Sequence, residues 1–228
     1  MLRVALTGGL GAGKSTAARM FEALGAHVLS SDAMGRELMQ PGHAVYHAIV
    51  ERFGPQIVLA NGELDRAALA KIAFAEGRVE ELNAIVHPAV IAKQAELIAA
   101  ISAEDSGAVV MVESALIFET KYAGEEGWRK RFDKVVLVTA PEEVKIARFV
   151  ARASQGVELN DTEREVLEAE ALRRLAQQIP DEIKASLSDY VLTNSGPATE
   201  LEWQVDQLWP ILKAAAEANE ANETSKTG

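Results

Sequence analysis

The stretch Gly8-Gly9-Leu10-Gly11-Ala12-Gly13-Lys14-Ser15-Thr16 decides how this chain is read, because it follows an apolar run, residues 2–7, and opens into a helical pattern, residues 14–24. It fits G-x-x-x-x-G-K-[ST], with Gly8, Gly13, Lys14 and Ser15 at the fixed positions. A strand feeding a glycine turn that opens into a helix leaves several backbone N–H groups unpaired and aimed at one point, which a polyphosphate fills. Glycine lets the backbone approach the phosphates and take positive φ. On this pattern residues 9–16 bind a nucleoside triphosphate. Lys14 reaches the terminal phosphates, and the Ser15 hydroxyl helps to hold Mg²⁺.

The 228 residues around this loop, 48% hydrophobic and 25% charged, suffice for one large domain with insertions or for two small ones. A formal charge of −11 repels a long phosphate backbone, so nucleic acid is not an expected partner, although a local basic pocket can still take a small anion. The chain has no cysteine, which excludes disulfides, thiolate metal sites and thiol nucleophiles and suits a reducing cytoplasm. No apolar run has the look of a signal-peptide core or of a membrane span, so no membrane association is expected.

After the loop, Ala17, Ala18, Met20, Phe21 and Leu24 give the first helix an apolar face, and Gly25 stops it. Residues 27–30 read as a short strand, and Ser31 or Asp32 as the cap of a following helix. Helices are then expected at 45–53, at 66–74 with Asp65 as cap, at 79–86 up to a break at His87-Pro88, and at 89–101. Residues 33–101 therefore read as an inserted helical region. Residues 108–112 and 135–138 are unbroken apolar runs that fit strands buried on both faces, and the first ends in Glu113. Residues 121–131 look like surface. A helix with Arg148 and Arg152 on one face follows Pro141, and a second, opened by a Thr162 and Glu165 capping box, runs to about residue 178. Residues 190–193 form the last strand, 198–216 a long helix, and the polar tail, 217–228, has no periodicity and is expected to be disordered.

Apolar strands alternating with helices imply an α/β fold, a parallel sheet covered by helices on both faces. Ligands in such sheets bind at the carboxyl ends of the strands. Thr7, Asp32, Glu113 and Asn194 all stand at or just past those ends, so four separate stretches converge on one cleft.

Six stretches together resemble the dephospho-CoA kinase family: LTGGLGAGKST at 6–16, SSDAMGREL at 30–38, GELDRAALAKIAF at 62–74, LNAIVHPAVI at 82–91, RRLAQQIP at 173–180 and DYVLTNSG at 189–196. The resemblance spans residues 2 to about 209. It implies a P-loop NTPase core formed by residues 1–32, 104–147 and 186–216, a helical acceptor-binding insert at 33–103, and a helical lid at 148–185. It also implies transfer of the γ-phosphoryl group of ATP, with Mg²⁺, to the ribose 3′-hydroxyl of dephospho-CoA. The sequence departs from the family pattern in two places: Glu113-Ser-Ala-Leu-Ile-Phe-Glu119 stands where D-x-P-L-L-F-E is usual, and the loop at 154–161 is longer.

Asp32 matches the family's general base, and a carboxylate at a strand end beside the γ-phosphate is suited to take the proton of an attacking hydroxyl. Glu113 is the expected metal residue with Ser15, because a carboxylate directly after an apolar strand must face something polar. Lid arginines neutralise a transferring phosphoryl group; Arg152 is the first candidate, with Arg148 and Arg174 behind it. The resemblance places Asn194 and Gly196 beside the adenine of ATP. Thr7, Asp32, Arg36, His87 and Lys93 are the candidate acceptor contacts.

Two other functions share parts of the pattern. A kinase for a nucleoside, nucleotide or shikimate-like acceptor would use the same core, but the LNAIVHP insert speaks against it. A GTPase switch would carry N-K-x-D after a strand, and no Asn-Lys pair exists in the chain. The D-x-x-G at Asp32-Ala33-Met34-Gly35 follows the second strand too closely for a switch segment.

Overall fold

Three apolar runs become the centre of a parallel sheet, where neither face of a strand meets water. They are β1 (Leu2–Thr7), β3 (Val109–Glu113) and β4 (Lys134–Thr139), flanked by the more exposed edge strands β2 (His27–Ser30) and β5 (Tyr190–Thr193). The computed structural model describes residues 1–120 and 127–227, apart from the side chains of residues 74 and 223–227. Strand order is β2-β3-β1-β4-β5. Leu6 and Ser30 both lie level with Glu113, and Thr7 with Leu137, so the loops after β1, β2 and β3 leave the sheet at one edge. The chain goes to one side of β1 for β2 and β3 and then crosses to the other for β4 and β5. The crevice made by this reversal opens beside the end of β1, where the glycine loop begins.

One face of the sheet is covered by α1 (Lys14–Ala23) and α9 (Ala198–Thr227), whose Phe21, Leu201, Val205 and Leu212 pack on Leu2, Val4 and Leu6. On the other face Ala5, Val112 and Val135 meet Ile117, Phe132 and Trp128, together with Ile98 of α5 (Val79–Glu104). Each large side chain buried here contributes roughly 1.5–3 kcal/mol. The insert has its own apolar cluster, Val45, Ile49, Phe53, Ile57, Leu64 and Leu69, built by α3 (Ala44–Phe53), α4 (Arg66–Ala75) and the segment between them. Asp65 caps α4, its carboxylate accepting from Ala67 N–H at 3.0 Å and Ala68 N–H at 2.9 Å.

The structure differs from the sequence reading at several points. The helix expected to break at His87-Pro88 is continuous as α5, with Pro88 inside it. Proline removes the rung to the carbonyl of Ala84, a cost of about 3 kcal/mol. Packing on both sides offsets it, with Leu82, Ile85, Val86 and Ala89 in the insert cluster and Ile98 under the sheet. Neither Ser31 nor Asp32 caps α2 (Ser31–Leu38); Ser30 does, its hydroxyl accepting from Ala33 N–H at 3.4 Å. The capping box of α7 (Asp161–Ala176) is Asn160 with Glu163, two residues before the expected pair. After Pro180 the chain forms a short helix, α8 (Asp181–Ser186), which polar sequence without periodicity did not announce. Of the stretch expected to be surface, residues 121–126 lie outside the described residues, and Arg131 is half-buried.

By length and composition α5 could cross a membrane, contrary to the expectation that no segment could. It packs instead along α2, α3, α4 and β3. The expected disorder of the tail also needs correcting, since α9 continues to Thr227. Asn219 donates to the carbonyl of Met1 at 3.1 Å, and Glu220 accepts from the Ser106 hydroxyl, which ties the added turns to the start of β1 and the turn before β3. Deleting residues 217–228 should therefore lower stability by about 1–2 kcal/mol, the scale of one or two tertiary hydrogen bonds, read as a lower midpoint in thermal or urea unfolding. A disordered tail would leave the midpoint unchanged.

Candidate active site

The glycine loop is held with almost no clearance. Gly11, at φ 71°, and Gly13, at φ 98°, occupy backbone conformations that favour glycine. A Cβ at Gly11 would collide with the carbonyl of Lys145 on α6 (Glu142–Ala153), and one at Gly13 with the side-chain amide of Asn194. The buried Asn194 amide donates to the carbonyl of Ala12 at 2.9 Å. Arg148 fixes Asn194 in turn, donating to its backbone carbonyl at 2.9 Å and to Oδ1 at 3.2 Å. From the far side, Gln178 Oε1 accepts from Leu10 N–H at 3.1 Å. Lys145 pairs with Asp181, which also accepts from the Thr139 hydroxyl. The N-terminus of α1 that follows has no side-chain cap and no acidic residue in its first turn, so its donors are left to an anion.

Four charges act on Lys14. Burial pushes its pKa below the ordinary lysine value, Glu113 and Asp32 pull it back up, and Lys184 and Arg152 push it down. Its ammonium donates to the carbonyl of Gly9 at 3.2 Å. Beside it the Ser15 hydroxyl donates to Glu113 Oε1 at 2.6 Å. Two hard oxygen donors this close, next to a free helix N-terminus, fit a Mg²⁺ ion that takes its other ligands from phosphate and water. No larger cluster of candidate metal ligands exists among the described residues. Lys14, Ser15, Thr16, Glu113, Arg148 and Arg152 line one cleft with Gly11 and Gly13.

A second cavity, of about 300 Å³, adjoins this cleft between α2, α5 and the end of β3. The exposed Asp32 carboxylate, Arg36 and His87 line it with Gln94, Ser114 and Arg131. Burial pushes the His87 imidazole below its ordinary pKa, which favours the neutral ring at pH 7.

The structure thus gathers Lys14, Ser15, Glu113, Arg148 and Arg152 in the phosphate cleft, and Asp32, Arg36 and His87 in the adjoining cavity. Other candidates stand elsewhere. Lys93 pairs with Glu96 at 3.1 Å and lines neither space. Arg174 pairs with Glu170 at 2.6 Å and lies over the Phe149 ring, 5.4 Å from its centroid. Thr7 is fully buried at the end of β1, and Gly196 packs against the Glu200 carboxylate. The Asn194 side chain is occupied in bracing the loop. Sequence reasoning missed Gln178, Lys145, Asp181, Gln94 and Arg131. It also missed the fully buried Lys184, which pairs with Glu119 at 3.0 Å. Only Gln178 and Glu119 had a signal, as members of the RRLAQQIP and ESALIFE stretches.

A sequence model described as dephospho-CoA kinase matches residues 2–200. The chain belongs to this family. It is 40% identical over 210 residues to a dephospho-CoA kinase of Mycolicibacterium paratuberculosis, a match that covers 92% of this chain but only 47% of that longer protein. A dephospho-CoA kinase of Geobacter metallireducens is 37% identical over 210 residues, 92% of this chain and 96% of the relative. Among solved structures, TT1252 from Thermus thermophilus superposes with a TM-score of 0.70 at 31% identity, covering 92% of this chain and 97% of its own. A dephospho-CoA kinase from Campylobacter jejuni, 22% identical with a TM-score of 0.58 over 92% of this chain and 96% of its own, shares the fold.

The charges around Lys14 make a pH prediction. Its folded pKa is already lowered by burial and is held up by Glu113, so Glu113→Gln removes a stabiliser of the cation and lowers the pKa further. Lys14 then loses its proton at lower pH. ATP binding measured with magnesium withheld should fail at a lower alkaline pH in Glu113→Gln than in the wild type, and an alkaline limb that does not move would show that Glu113 does not support the lysine.

Proposed function

We propose that this chain transfers the γ-phosphoryl group of ATP to the ribose 3′-hydroxyl of dephospho-CoA, releasing ADP and CoA. One observation carries this reading beyond family membership: Glu113 lines the cleft of Lys14, Arg148 and Arg152, and the next residue, Ser114, lines the cavity of Asp32, Arg36 and His87. A donor phosphate in one space and an acceptor hydroxyl in the other would lie on either side of the end of β3.

The roles follow from that placement. The loop N–H groups and Lys14 hold the β- and γ-phosphates, and Arg148 and Arg152 neutralise charge on the transferring group. Asp32, exposed to the acceptor cavity, accepts the proton of the attacking hydroxyl. Ser15 and Glu113 hold Mg²⁺, which when bound neutralises the phosphate oxygens and orients them. Residues 33–103 bind the acceptor, with Arg36 and His87 as contacts, and residues 148–185 act as the lid that brings Arg152 to the phosphates.

Purified protein with ATP and Mg²⁺ would be offered dephospho-CoA, adenosine, AMP, CMP, pantothenate and shikimate separately, with product masses as the readout. Only dephospho-CoA should gain a phosphate efficiently; faster phosphorylation of any other compound overturns the assignment. Two substitutions test the chemistry. Lys14→Ala should weaken ATP binding as well as turnover, because the lysine contacts phosphate in both ground and transition states. Asp32→Asn should keep ATP affinity and the unfolding midpoint, since Ser30 and not Asp32 caps α2, while lowering kcat by roughly 10² or more. An Asp32→Asn variant that binds ATP as poorly as Lys14→Ala would refute the base assignment.

A further inference from the structure

Arg131 lies between the turn at Gly127–Lys130 and β4. Arg3, Arg52, Arg78, Arg173 and Arg174 each pair with a carboxylate. Arg131 is half-buried, lies over the Phe132 ring at 4.9 Å, and has no carboxylate partner among the described residues. Its hydrogen bond goes instead to a neutral group, Gln94 Oε1, at 2.5 Å. Gln94, only 2% exposed, spends its amide N–H on the Ser31 hydroxyl at 2.8 Å. Arginine can only donate, so the Gln94 amide has its oxygen towards Arg131 and its nitrogen towards Ser31. The chain Ser31–Gln94–Arg131 therefore fixes the guanidinium from the residue next to Asp32 without neutralising it. The rest of its donor fork is left for a ligand.

The location says which ligand. Arg131 and Gln94 line the Asp32 cavity, and they also line a second cavity of about 560 Å³ whose walls include Ile98, Phe132 and Lys130. A half-buried guanidinium with no carboxylate partner among the described residues, at the junction of two cavities, fits an anionic group in the middle of an elongated molecule. We propose that Arg131, oriented by Gln94, binds the diphosphate of the acceptor, with the hydroxyl to be phosphorylated on one side at Asp32 and the remainder of the molecule on the other, in the second cavity. This rests on the reading of dephospho-CoA as acceptor, whose diphosphate joins the phosphorylated ribose to a long arm.

The test compares steady-state kinetics of the wild type, Arg131→Gln, Arg131→Lys and Gln94→Glu, with calorimetric titration of dephospho-CoA into each in the presence of a non-hydrolysable ATP analogue. Arg131→Gln should raise the KM and Kd for dephospho-CoA on the order of tenfold, the scale of one charge-assisted hydrogen-bonding contact, with the KM for ATP within about twofold of wild type. Arg131→Lys should restore most of the loss. Gln94→Glu keeps the shape but gives Arg131 a carboxylate, so it should weaken the acceptor by a similar factor, and it decides the matter if Arg131→Gln does not fold. Acceptor affinity unchanged in both Arg131→Gln and Gln94→Glu, or ATP affinity falling as much as acceptor affinity, overturns the proposal. A wild type that does not phosphorylate dephospho-CoA would overturn the functional reading instead.

Discussion

The site depends on a steric constraint: there is no space for a Cβ where the glycine loop passes the Lys145 carbonyl and the Asn194 amide. A glycine-rich sequence reads as flexible, yet here the absent side chains are what let three other elements close on the loop. Arg148 and Asn194 hold it from α6 and the end of β5, and Gln178 holds Leu10 from the turn before α8. Donors fixed in this way need little reorganisation when charge develops on a phosphate, which is the usual source of electrostatic catalysis. The same contacts join α6 and the segment after α7 to the loop, so the helices proposed as a lid are tied to the loop itself.

Electrostatics imposes the second condition. A lysine buried beside a phosphate site tends to lose its charge, and with it its use. Glu113 and Asp32 oppose that loss, so each carboxylate has a second effect besides its proposed metal or base role. The balance also explains how a chain of formal charge −11 can attract ATP. Its excess of acid is spread over the surface, whereas Lys14, Arg148 and Arg152 line the cleft itself, where field is strongest.

What the sequence disclosed and what it hid divide along a physical line. The glycine loop, the three central strands and the Asp65 cap were legible because each is set by local rules, φ sterics, burial on both faces, or a side chain reaching its own helix. The capping of α7 was ambiguous for a local reason as well: Asn160 with Glu163 and Thr162 with Glu165 both satisfy the spacing, and the structure uses the first. Arg131, Gln94 and Lys184 left no signal because their partners are 37, 63 and 65 residues away, and no period or motif encodes contacts of that kind. The turns of α9 beyond Ala216 were hidden likewise, since their anchors, Met1 and Ser106, are remote in sequence.

The break expected at His87-Pro88 shows a sequence signal that was real but had another meaning. On either side of Pro88, α5 packs Leu82, Ile85, Val86 and Ala89 into the insert's own cluster; further along, Gln94 bonds to Ser31 and Arg131, and Ile98 lies under the sheet. The proline therefore lies inside the insert's packed stretch, a few residues before the helix passes to the core. A continuous helix here fixes His87, which lines the Asp32 cavity, relative to Gln94, which holds Arg131. The last turns of α5, with Ile98, pack under the sheet, so the helix that begins in the insert's cluster ends on the core. The insert and the core share a helix, and the cavity lined by Asp32, His87 and Gln94 is built along the length that they share.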